Sequence, residues 1–95
     1  MPEIENIMKA VTKVTGICKR KIMSRSRMWP IVEARMIYVL CASRTSIADV
    51  YIAASLGRNR TTVVKTRKNA LSYMSVCKTF RDKYAKALES YGDSK

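Results

Sequence analysis

The sequence contains no histidine. That removes every Ser-His-Asp or Cys-His nucleophile system and every zinc site that uses imidazole. Its seven carboxylates (Glu3, Glu5, Glu33, Asp49, Asp82, Glu89 and Asp93) are scattered, never grouped as a two-metal centre or a glycosidase pair requires. Cys18, Cys41 and Cys77 form no Cys-x-x-Cys pair, so neither a disulfide framework nor a metal knuckle is indicated, and all three are expected to be small buried hydrophobes. No apolar run approaches the ~18–20 residues that span a bilayer, and no basic segment followed by an apolar stretch opens the chain as a secretory signal does. With three glycines and two prolines in 95 residues there is no Gly/Ser-rich linker, no low-complexity tract and no internal repeat. These absences point away from an enzyme and from any cofactor, and towards one domain covering 1–95.

What the sequence has in excess is positive charge: nineteen Lys and Arg against seven acids, a net +12. Self-repulsion of that size opposes compaction and implies a polyanionic partner. The excess is not spread evenly. Residues 17–35 carry six positive charges against Glu33 alone, and residues 58–69 carry five with no acid. The apolar stretch between them is neutral, as are residues 1–16. The pattern is two contact surfaces on a neutral scaffold.

Apolar spacing reads as helix throughout, with no sustained period-2 alternation. Ile4, Ile7, Met8, Val11 and Val14 mark a first helix that Gly16 stops. A short turn of helix over 17–23 places Ile17, Cys18 and Ile22 inward and Lys19, Arg20 and Lys21 outward. Residues 24–28, Ser-Arg-Ser-Arg-Met, form a basic loop. Trp29-Pro30 opens a third helix, with Pro at its first position, and residues 36–42 are so uniformly apolar that this helix is expected at the centre. Thr45 or Ser46 is a suitable cap for a fourth helix, with Asp49 in its first turn and Ile47, Val50, Tyr51, Ala54 and Leu56 as its apolar side, ending at Gly57. Asn59 is placed to cap a fifth helix running to about Ser75. A last amphipathic helix over about 77–91 uses Cys77, Phe80, Tyr84, Leu88 and Tyr91. Trp29 and the tyrosines are expected to pack against neighbouring helices or at the core edge.

Two short helices joined by a tight glycine-containing turn, the second opening on arginines, follow helix-turn-helix logic over about 46–75. A helix N-terminus offers free backbone N–H groups to phosphate, and Arg58, Arg60, Thr61 and Thr62 add side-chain donors there. On the fifth helix Val63, Val64, Ala70, Leu71 and Met74 form one stripe, while Thr61, Lys65, Lys68, Asn69 and Ser72 form the other, of base- and phosphate-reading types. Arg67 falls inside the apolar stripe, where the pattern gives no reason for it. In the other basic block, Arg25 and Arg27 between small serines suit a loop reaching into a minor groove.

Three stretches resemble the C-terminal DNA-binding domain of the bacterial replication initiator DnaA. These are Ile4 through Ile22, then Arg27 with Val32-Glu33-Ala34-Arg35-Met36-Ile37-Tyr38-Val39-Leu40, and Gly57-Arg58-Asn59-Arg60-Thr61-Thr62-Val63. The likeness covers about residues 4–74. It implies an all-α Trp-repressor-like bundle of five to six helices. It also implies Arg27 in the minor groove, Arg35 near the phosphate backbone, and Arg58 through Thr62 on bases and phosphates of the major groove. Asn59 and Arg60 stand where the family has Asp and His, an exchange that favours adenine and then guanine or phosphate and implies a target other than an unmodified DnaA box. Met36 replaces a family glutamine, and Arg67 takes a position that is usually small or apolar. No Gly-x-x-x-x-Gly-Lys loop occurs in these residues, so they carry no ATPase.

The expectation is therefore a double-stranded-DNA-binding module without small-molecule substrate, cytoplasmic and nucleoid-associated, with Arg25, Arg27, Arg35, Arg58, Asn59, Arg60, Thr61, Thr62, Lys65 and Lys68 as its contacts. A small replication or transcription regulator of the phage or mobile-element kind and a domain cut from a longer protein are both open, as is a protein partner or weak homodimer beside the DNA. The rival reading is a basic amphipathic module on an anionic membrane surface or an acidic protein. Against it, the basic blocks fall on a loop and a turn rather than along one helix face.

Overall fold

The computed structural model describes residues 2–24, 27–45 and 47–93. Over these the chain forms six helices and no strand: α1 (Pro2–Thr15), α2 (Lys19–Met23), α3 (Trp29–Arg44), α4 (Asp49–Leu56), α5 (Arg60–Val76) and α6 (Lys78–Asp93). α3 is the axle. Every residue from Met36 to Ala42 is buried, and each of the other five helices packs on it. A helix that is apolar all round can only be satisfied by neighbours on every side, and this chain supplies them.

α1 lays Ile7, Met8 and Val11 against α6 and α3, and Gly16 ends it in the left-handed region at φ 72°. α6 contributes Phe80, Ala87 and Tyr91 to the core. Glu33, the one buried carboxylate among the described residues, is neutralised by an ion pair with Lys83 of α6, which is what lets a charge stay inside. Trp29 packs against Tyr73 with ring centroids 4.9 Å apart and ring planes tilted by 57°. Tyr38 is fully buried and its hydroxyl lies 2.5 Å from Ser55 Oγ, which itself donates to the Ile52 carbonyl. The single Ser55 proton is thus committed, so Tyr38 is the donor and the chain of bonds ties α3 to α4. Burial pushes the Tyr38 hydroxyl and the Cys41 thiol up, the latter to about 12.

Three expectations needed correction. α4 begins at Asp49 with Ala48 before it and no side-chain cap, while Thr45 closes α3 instead and Ser46 lies outside the described residues. That later start sets the helical phase. Ile52, Ala53 and Leu56 turn inward, and Val50, Tyr51 and Ala54 face out. Cys41 alone of the cysteines is buried: Cys18 is exposed, in the link before α2, and Cys77 is half-buried between α5 and α6. Leu71 is 55% exposed rather than part of the α5 stripe.

Candidate nucleic-acid interface

The α4–α5 unit is a helix-turn-helix built by one glycine. Gly57 sits at φ 66°, ψ 31°, a conformation that costs an L-residue roughly 1 kcal/mol or more. There its N–H reaches the Ala54 carbonyl and the Arg58 N–H reaches Ala53, closing the end of α4. Two residues later Asn59 begins α5. Its side-chain oxygen accepts from both the backbone N–H and the hydroxyl of Thr62, each at 2.9 Å. The cap read from the sequence is present, and it fills the acceptor side of the amide. In this conformation Nδ2 is the Asn59 atom left for a base edge, so the two-point donor–acceptor pattern that suits adenine is not on offer.

From that cap α5 presents Arg60, Thr61, Lys65, Lys68, Asn69 and Ser72 to solvent, while Val63 and Ala70 are buried beneath. No acid occurs between Arg58 and Asn69, so this stretch carries no negative charge of its own to offset its cations or compete for their donors. Arg27, in the other basic block, is also exposed, and Arg25 lies outside the described residues.

Arg35 and Arg58 behave differently. Both are half-buried. Arg35 donates from Nε to the Ile22 carbonyl at 2.9 Å and from a terminal nitrogen to the Ser24 carbonyl, and Arg58 donates to that same Ser24 carbonyl at 2.7 Å. Burial, and then the neighbouring Arg58 charge, hold the Arg35 guanidinium below its ordinary value. Two like charges from α3 and the helix-turn-helix turn are thus brought together by one main-chain oxygen at the start of the basic loop. Thr62 is half-buried and engaged with Asn59.

Arg67 also has its explanation. It donates to Ser43 Oγ of α3 at 3.0 Å and forms an ion pair with Asp49 in the first turn of α4. The misplaced arginine is a three-helix tie that fixes the middle of α5 on the scaffold. The signal was present in the sequence as a cation in an apolar stripe, without anything to name Asp49 as its partner. The Ser24 carbonyl left no such signal, because every residue type has one.

An all-α bundle carrying a capped helix-turn-helix with a basic, outward recognition face is a DNA-binding domain. The family model of the bacterial DnaA protein helix-turn-helix matches residues 4–69, and the chain belongs to that family. The match takes in α1 through α4 and the first ten residues of α5. No curated protein matches the chain. Among the described residues no helix is long and apolar enough to cross a membrane.

Proposed function

We propose that this protein binds duplex DNA with a sequence preference, laying α5 in the major groove and its basic loop over the adjacent minor groove. The observation that carries the reading is the acid-free outer face of α5, with Arg60, Thr61, Lys65 and Lys68 exposed directly after the Asn59 cap. Lys65 and Lys68 serve phosphates, which supply affinity without sequence information. Arg60 and Thr61, in the first turn, reach base edges, as the leading residues of a recognition helix do. Arg27, with Arg25, takes the minor groove, where a guanidinium meets the most negative potential. Arg60 in place of the family's His favours guanine at its contact. The preferred site is therefore a changed DnaA box.

Fluorescence anisotropy tests this with a DnaA-box duplex, a shuffled duplex and the best duplex selected from a random pool, between about 50 and 200 mM salt. The expected result is salt-steep binding to all three, tightest to the selected site. Equal affinity for all three would remove the sequence preference. Absence of binding at the lowest salt would remove the function.

A further inference from the structure

The Ser24 carbonyl receives Arg35 from α3 and Arg58 from the turn before α5. It is the C-capping residue of α2, and Arg27 follows three residues on. α2 has five residues, with Lys19, Arg20 and Lys21 exposed and no acid among them. A helix that short does not hold itself, and its three cationic side chains repel one another. It is secured by the buried Ile22 and, at its end, by the Arg35 fork on the Ile22 and Ser24 carbonyls. A rigid planar guanidinium can serve two carbonyls at once, which a lysine ammonium does not do with the same geometry. Arg58 then fastens that same end to the helix-turn-helix turn.

We propose that Arg35 and Arg58 are positioning residues: through the Ser24 carbonyl they set the offset between the basic loop and the recognition helix. This rests on the DNA-binding reading above, and it gives both arginines a role other than the direct phosphate and base contact that the family resemblance implies. Loop and helix must meet two adjacent grooves of one duplex together, so their spacing is itself a recognition element. Arg35 acts on DNA through Arg27.

The test is a double-mutant cycle on the full chain, reading affinity for the selected duplex in anisotropy titrations at several salt concentrations. Arg27→Ala is made in the wild-type and in the Arg35→Lys backgrounds, each variant being checked for helix content by circular dichroism. The lysine keeps the charge and loses the fork. If Arg35 positions the loop, Arg27→Ala costs about tenfold in the wild type and under about threefold in the Arg35→Lys background, the non-additivity expected of residues acting as a unit. Trypsin cleavage after Arg25 and Arg27 of the free protein also accelerates in Arg35→Lys. Arg58→Lys repeats both measurements, which covers the case in which Arg35→Lys does not fold. Additive losses, with Arg35→Ala lowering the salt slope by about one, would make Arg35 a direct phosphate contact and overturn the proposal while leaving DNA binding intact. A wild-type protein that binds no duplex overturns the proposal together with the reading beneath it.

Discussion

Arg60, Lys65 and Lys68 on one side, and Arg35, Arg58 and Arg67 on the other, carry the same charge in opposite circumstances. The first three stand exposed on α5, with no acid on that stretch to answer them. The second three are half-buried and engaged, two on main-chain carbonyls and one on Ser43 and Asp49. A net charge of +12 therefore overstates the surface available to a polyanion, because part of the cationic complement works as internal strapping. The distinction separates two kinds of loss on mutation. Removing a strap lowers stability and leaves partners unsatisfied, while removing a free cation lowers affinity and salt sensitivity with the fold intact.

The comparison breaks most clearly at Arg67. Arg67→Ala strands Asp49 and Ser43 and is expected to lower unfolding free energy by about 2 kcal/mol, since the pair is mostly sheltered from solvent. Urea denaturation measures this, and a loss under ~0.5 kcal/mol would mean that the tie is decorative. A smaller effect separates core from surface by pH. The Cys41 thiol is raised in the folded state from an ordinary 9.0 to about 12. Its contribution is therefore intact below pH 9 and fades as the unfolded thiol ionises, by about 1 kcal/mol at pH 10. Stability curves at pH 8 and pH 10 for the wild type and Cys41→Ala should differ by that amount, and parallel curves would place the alkaline loss elsewhere.

Asn59 lies on the boundary between the two classes. Asn59→Ala should cost about 1 kcal/mol of stability through the lost cap, whereas Asn59→Asp should keep the cap and gain from the helix dipole. Thermal melts of both rank them, and equal melting temperatures would show that the bonds to Thr62 contribute nothing. Smallest of all in stability, Lys68→Ala should change unfolding by no more than about 0.5 kcal/mol while flattening the salt slope of DNA binding by about one.

Much of the fold was legible because its signals are local. Gly16, Gly57 and Pro30 punctuate the helices, Asn59 caps α5, and the run over 36–42 marked α3 as central. The α4 register was not, since whether Thr45 ends one helix or begins the next depends on packing that no local rule contains. The site divides along the same line. The exposed face of Thr61, Lys65 and Lys68 follows from helical period alone. That Arg35 and Arg58 meet at Ser24 depends on residues eleven and thirty-four positions away in sequence, and charge counting treats them as it treats any exposed arginine. Arg67 was visible as an anomaly without its partners, because an ion pair needs both residues and a fold to bring them together.

The packing of α1 against α6 has a consequence for how the chain is made. α1 leaves the ribosome well before α6, so the side of its Ile7, Met8 and Val11 stripe that α6 covers must wait while some eighty residues are synthesised. At the usual ~5–20 residues per second that is about 4–16 s during which α1 has α3 to pack on but lacks its other partner. The bundle cannot be completed from the front. α1 and α6 close it together, and a nascent protein that stalls before Phe80 emerges would present the uncovered side of α1 to whatever chaperone or neighbour is at hand.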